Sequence, residues 1–281
     1  MRTLTRFGTH QARSTLLGLA VLGVIAGSAT VATASTGTTS TGTTSHSDVR
    51  PTIVLEHGAW ADGSSWNGVV TRLQRDGYTV DVPPDPLRGV ASDSAYLASY
   101  LATIPGPIVL VGHSYGGFVT TDAATGNPNV KALVYVDAYI PAQGDTLNSL
   151  TAQFPGSRIA PTALAFVPSA GGVVDAYVQP AMFRAILAND LSATQVALLA
   201  ATQRPIAASA LGEVSGPPAW TSVPTWAVIG TEDHALPPAA QEFMAQRAHA
   251  RVTRIAASHL SLISHPDAVE RVIVEAARHT S

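Results

Sequence analysis

The 281-residue sequence predicts an α/β fold, a mostly parallel, doubly wound sheet with a helical cap insertion. Three observations predict it. From residue 51 onward, short β-branched or apolar runs alternate with segments of helical spacing, the pattern of a parallel sheet covered on both faces. The runs at 108–111 and 132–136 show no polar alternation, as strands buried on both faces do not. Residues 138–221 break the rhythm with many Pro and Gly and no clear strand, which marks an insertion between two sheet strands.

Residues 52–55 form a first short strand, ending at His57-Gly58. A helix follows over 65–75, with Ser64 or Ser65 as N-cap and Gly77 just past its end. Residues 78–82 read as a strand stopped by Pro83-Pro84, and 93–104 as a helix with Tyr96, Leu97, Tyr100, Leu101 and Ile104 on one face. The strand at 108–111 leads into a helix over 115–125, and 132–136 is a further strand. The insertion carries helical patterns at 174–188 and 192–203. Two more strands, 225–229 and 251–256, flank a helix at 239–248. A final helix runs from Pro266 to Arg278, with Pro266 in its first turn and Val269, Val272 and Ile273 on its apolar face.

Length and composition bound the function. One α/β domain with an insertion fits the chain. Charged residues are 12% of it, about half the roughly 25% usual in globular domains. The net charge of −3 includes no run of one sign, so neither nucleic acid nor an anionic membrane is an expected partner. The absence of cysteine excludes disulfides, a thiol nucleophile and thiolate metal ligands. No histidine–carboxylate spacing suggests a metal, and no glycine-rich dinucleotide fingerprint suggests a cofactor. Residues 1–34 read as a secretory signal peptide. Arg2, Arg6 and Arg13 give a basic start, 16–27 an apolar stretch, and Ala32-Thr33-Ala34 a cleavage motif. A membrane anchor is the competing reading, although that stretch is short against the ~20 residues that span a bilayer. Residues 35–48 are a Ser/Thr-rich linker, leaving 49–281 as the folded domain.

The strongest chemical signal is Gly112-His113-Ser114-Tyr115-Gly116 between a buried strand and a helix. This strand–turn–helix context holds a serine hydroxyl at the tip of a sharp turn, as a nucleophile. A hydroxyl needs an adjacent base. Of nine histidines, His259 lies in the loop after the last strand, with His265 the fallback. His57 and His113 sit in tight turns and brace backbone, and His234 reads as exposed loop. The base needs a carboxylate to orient it. Asp233, after the strand 225–229, completes the order Ser114, Asp233, His259. Asp137 is the alternative acid, at the end of the strand 132–136, with Glu232 a distant third. Backbone amides of Ala59 and Tyr115 are expected to bind the oxyanion. Trp60 and Tyr139 are candidate pocket walls, and Phe154, Phe166, Tyr177, Met182 and Phe183 candidate cap contributors.

The chain from about 52 to 278 resembles the esterase/hydroxynitrile-lyase branch of the α/β-hydrolases. That branch includes plant methyl esterases and bacterial pyrethroid-hydrolase-type carboxylesterases. The resemblance rests on His57-Gly58-Ala59-Trp60, Trp66, the Ser114 elbow with Gly117, Val134-Tyr135-Val136, Gly230-x-x-Asp233 and Ser258-His259-Leu260. It implies an acyl-enzyme esterase acting on small to medium, apolar esters without a cofactor. Lyases of the branch carry Thr and Lys where this chain has Gly58 and Leu260, and its one lysine is Lys131, so cyanohydrin cleavage is disfavoured. A binding protein on the same scaffold, or lactone, perhydrolase or C–C bond chemistry, are the alternatives. Glu56 and Asp137 depart from the usual apolar and small residues, and the sequence offers no reason for Glu56.

Overall fold

The computed structural model describes residues 50–280, so the expected signal peptide and the whole of the linker expected at 35–48 lie outside the described residues. In chain order the first half contains β1 (Thr52–Glu56), α1 (Asn67–Arg75), β2 (Val80–Asp81), α2 (Val90–Leu101), β3 (Ile108–His113), α3 (Gly116–Ala123) and β4 (Val130–Val136). The insertion then contributes α4 (Leu147–Ala152), β5 (Leu164–Pro168), β6 (Val174–Val178), α5 (Pro180–Leu187), α6 (Ala193–Thr202) and β7 (Ile206–Ala207). The chain returns through β8 (Thr225–Gly230), α7 (Pro238–Arg247), β9 (Arg251–Ile255), α8 (Ser261–Ser264) and α9 (Pro266–Arg278).

Six strands form one parallel sheet in the order β2-β1-β3-β4-β8-β9. The chain moves outward from β1 to β2, then crosses back to β3 on the other side. That reversal opens a crevice beyond the carboxyl ends of β1 and β3, where open α/β sheets bind ligands. Every residue of β3 and β8 is buried, which explains their uninterrupted apolar sequences. Helices cover both faces, with α1 packed on α9 and α2 on α3. The α9 helix buries Val269, Val272 and Ile273 and starts at Pro266, as its pattern predicts.

Four local expectations are corrected. Neither Ser64 nor Ser65 caps α1, which starts after Trp66 without a side-chain cap, and Asp62 instead caps the turn before it, accepting from Ser64 N at 2.8 Å. A 3₁₀ turn over Gly63–Trp66 precedes the α-helix proper. The next helix begins at Val90, because Asp93 lies in its first turn and accepts from Arg88 N and Gly89 N. The strand expected at 78–82 shortens to β2, two residues at the sheet edge.

The largest correction is in the cap, which is not purely helical. β5, β6 and β7 form a three-stranded antiparallel sheet. Residues 174–178, expected as the start of a helix, are strand because Ala176 and Val178 turn inward while their neighbours do not. The helix begins only at Pro180, a favoured first position. This small sheet is fastened to the segment between β2 and α2 by Ala207 N donating to Leu87 O at 2.9 Å and by an Arg88–Asp175 ion pair at 2.7 Å.

Leu110 sits mid-strand in β3 with no exposed surface. Leu110→Ala is expected to lower unfolding free energy by about 2–5 kcal/mol, read from the urea midpoint at constant m.

Candidate active site

Five turns at the carboxyl ends of the strands converge. They follow β1 (His57), β3 (Ser114), β4 (Asp137), β8 (Asp233) and β9 (His259). Ser114 has φ 52°, a left-handed backbone that non-glycine residues adopt only under constraint. The constraint is packing of the elbow against its surroundings. A Cβ on Gly112 would lie 2.6 Å from Thr120 Oγ1, and one on Gly116 would lie 2.7 Å from His57 O. Only glycine at both flanks lets α3 start this close to β1 and β3.

The serine hydroxyl lies 2.8 Å from His259 Nε2, and His259 Nδ1 lies 2.7 Å from Asp233 Oδ2. A carboxylate accepts only, so Nδ1 carries the proton and Nε2 is free to receive one from Ser114. Asp233 is fixed from all sides. Its Oδ1 accepts from Ala235 N at 2.8 Å and Leu236 N at 2.9 Å, and its Oδ2 also accepts from Gln241 Nε2 at 2.8 Å. Burial of His259 works against its cation, but the charge and hydrogen bond of Asp233, helped by Asp137, outweigh it, and the imidazole pKa is raised. His113 is a neighbour of another kind. Burial, then the nearby His259, push its pKa well down, and its neutral ring donates from Nε2 to His259 O at 2.9 Å.

Asp137 does not reach His259 as a hydrogen-bond partner. Its Oδ1 accepts from Gly230 N at 2.8 Å and its Oδ2 from Ser261 N at 3.2 Å. It therefore ties the turn bearing Asp233 to the turn bearing His259, and both oxygens are occupied in doing so. Glu232 is exposed. His265 lies outside the relay, with Nδ1 2.8 Å from Ser264 Oγ. His234 is half-buried rather than an exposed loop residue, with Nδ1 3.2 Å from Ala185 O.

The backbone amides of Ala59 and Tyr115 flank Ser114, and among the described residues neither donates to any acceptor. Both residues line a cavity of about 460 Å³ together with Ser114 and His259. Trp60 and Tyr139 are walls of the same cavity. Trp60 has φ 60° and donates from Nε1 to Ala176 O of β6 at 2.9 Å, which joins the turn after β1 to the cap sheet. Of the apolar cap residues singled out from sequence, Phe154 lines the cavity. Phe183 is core, and Phe166 and Met182 face solvent. Sequence reasoning missed Leu147, Asn148, Thr151 and Ile159 on the cavity wall, and Gln241 behind Asp233. It also missed Asp190 in the cap, whose carboxylate accepts from Ser258 N and Ser258 Oγ and so holds the residue preceding His259.

The family model described as "Alpha/beta hydrolase family" matches residues 53–272. The chain belongs to the alpha/beta hydrolase family. Among relatives in this family, a carbendazim hydrolyzing esterase of Nocardioides sp. (strain SG-4G) is 33% identical over 34% of this chain and 46% of its own length. A pyrethroid hydrolase of Sphingobium wenxiniae is 31% identical over 40% of this chain and 44% of its own length. The matched segments thus span less than half of either relative. Among solved structures, polyneuridine aldehyde esterase superposes with a TM-score of 0.68 at 18% identity, covering 80% of this chain and 98% of that one. At that identity the likeness is one of fold. The resemblance to esterases read from the motifs is matched by the names of the two sequence relatives.

The Asp137 carboxyl is pushed up to about 7, first by burial and then by the Asp233 charge. An unfolded aspartate titrates near ~3.9. The folded state therefore keeps a proton that the unfolded chain releases between these values. The stability this contributes is full below about pH 4 and is lost as pH rises to about 7. Asp137→Asn is expected to flatten that slope, measured as Tm against pH from 4 to 8.

Proposed function

We propose that this protein is an exported serine esterase that hydrolyses small to medium, uncharged carboxylic esters through an acyl-enzyme. The observation that carries the reading is the relay Ser114–His259–Asp233, with contacts of 2.8 and 2.7 Å, opening onto a cavity beside two unpartnered amides. Ser114 Oγ attacks the ester carbonyl carbon as His259 Nε2 takes the hydroxyl proton. The carbonyl oxygen becomes an oxyanion between the Ala59 and Tyr115 N–H groups. His259 returns the proton to the departing alkoxide, and the alcohol leaves. Water, deprotonated by His259, then attacks the acyl carbon, and collapse releases the acid and regenerates Ser114.

The substrate class follows from the lining. Among the described residues no Asp, Glu, Lys or Arg side chain lines the cavity, and Leu147, Phe154, Ile159 and Leu211 give it an apolar wall. A charged substrate would be desolvated there with no counter-charge. The curated relatives are named for carbendazim and pyrethroid hydrolysis, which makes such compounds the first to try alongside simple aryl esters. Lys131 lies exposed at the start of β4, at the opposite end of that strand from Asp137. It is out of reach as a cyanide-binding cation. Export rests on the basic start, apolar stretch and Ala32-Thr33-Ala34 motif, with release after Ala34.

Purified protein is expected to hydrolyse p-nitrophenyl butyrate, and Ser114→Ala to lose kcat by on the order of 10⁶. An inactive wild type, or an active Ser114→Ala, sinks the reading in favour of a binding protein. Asp233→Asn should cost about 10⁴ in kcat, while Asp137→Asn retains far more activity. The base must be neutral to accept a proton, and its pKa is raised, so kcat/KM should fall as pH drops through a value above the ordinary ~6.5 of histidine. Asp233→Asn should move the midpoint of that acid limb down.

A further inference from the structure

Behind the oxyanion turn lies a buried layer of carboxyl groups that the mechanism does not use. Glu56, Asp85 and Asp93 are each about 1% exposed. Asp93 is well supplied with donors, accepting from Arg88 N, Gly89 N, Ser92 Oγ and Tyr115 OH. Glu56 and Asp85 are not. Among the described residues, Glu56 Oε2 and Asp85 Oδ2 have no hydrogen-bond partner. Yet Asp85 lies within hydrogen-bonding reach of Glu56 on one side and of the well-supplied Asp93 on the other, so Glu56 and Asp85 face each other with no donor between them. Two buried carboxylates facing each other without a cation repel, and each orphan oxygen adds a desolvation cost. One proton between them removes both penalties.

Asp85 leads to the oxyanion hole. Its backbone N–H donates to His57 Nε2 at 3.1 Å, and its Oδ1 accepts from Leu87 N at 2.9 Å. Because Nε2 is an acceptor there, His57 carries its proton on Nδ1, and that N–H donates to Gly58 O at 3.0 Å. Gly58 C=O and Ala59 N–H belong to one peptide unit, which is planar and trans. Holding the carbonyl oxygen on one side aims the amide on the other.

We propose that Glu56 is a neutral carboxylic acid whose O–H donates to Asp85, and that this pair is a positioning device for the Gly58–Ala59 peptide in the oxyanion hole. The inference rests on the reading of Ala59 N–H as an oxyanion donor. Burial, then the charge of Asp85, hold the Glu56 carboxyl well above the usual range, in keeping with the proton resting there. Burial likewise lowers the pKa of His57, in keeping with its neutral ring. Glu56 is thus a positioning residue. It touches neither substrate nor the reacting atoms.

Infrared difference spectroscopy of the full chain at neutral pH tests the proton directly. Wild type minus Glu56→Gln should show the carbonyl stretch of a protonated carboxylic acid. A spectrum with only a carboxylate band lost overturns the proposal, whether or not the protein is an esterase. Kinetics on p-nitrophenyl butyrate test the positioning. Glu56→Leu leaves Asp85 Oδ2 buried without a donor, and kcat should fall about 10- to 100-fold with KM within about twofold, somewhat less than deletion of an oxyanion donor costs. Glu56→Gln restores a donor to Asp85 and should recover most of that loss. Full kcat in Glu56→Leu overturns the positioning role even if the infrared band is present. If Glu56→Leu does not fold, the infrared comparison and the rate of Glu56→Gln still decide, since a tenfold or greater loss in Glu56→Gln contradicts the proposal.

Discussion

The site depends on one strained backbone position. Ser114 holds φ 52° between β3 and α3, and nothing about serine favours that conformation. Neighbours impose it. Gly112 and Gly116 allow backbone contacts that any side chain would block, and Gly117 N and Tyr139 N both donate to Ser114 O, at 3.0 and 3.3 Å. With the serine fixed at the tip, its hydroxyl, its own successor's amide and His259 come to one point. The parallel sheet supplies the rest by geometry alone, because all its strands deliver their carboxyl ends to the same edge.

Burial of acidic groups follows a consistent logic around that point. Four N–H donors fix Asp233, namely two backbone amides, the Gln241 amide and the His259 imidazole. Asp137 takes two backbone amides from turns that must stay in register with each other. Asp93 takes two more, with the Ser92 and Tyr115 hydroxyls. Each carboxyl group replaces lost water with directed N–H or O–H groups, as a buried polar group must. Glu56 and Asp85 have too few such donors, and it is there that a proton is the economical substitute.

Much of this was legible in the sequence where local signals are redundant. The α9 helix has proline at its start and a clean apolar face, and β3 and β8 have uninterrupted apolar runs. The elbow reads as a motif because its glycines answer steric demands made within a few residues. β6 was less legible. Val174, Ala176, Tyr177 and Val178 satisfy a helical or an extended reading, and only pairing with β5 and β7 decides. The rivalry of Asp233 and Asp137 had the same origin. They follow adjacent strands on the same side of the sheet, and what separates them is His259 Nδ1, which meets Asp233 Oδ2 at 2.7 Å and not Asp137. Hydrophobicity alone gave no direction to Phe166 or Met182, which point outward from the cap. Glu56 looked anomalous because its partner, Asp85, lies beyond α1 and β2 and a proline-rich turn.

The bond from Trp60 Nε1 to Ala176 O has a consequence for how such a protein can diversify. The acceptor is a main-chain carbonyl, so it is present whatever side chain occupies that position of β6. Substitutions across the cap can therefore reshape the cavity wall while the anchor on the turn after β1 persists. An inserted or deleted residue in β6 acts differently, since it would shift the carbonyl by one strand step and turn it away from the indole. The cap is free in composition and bound in register.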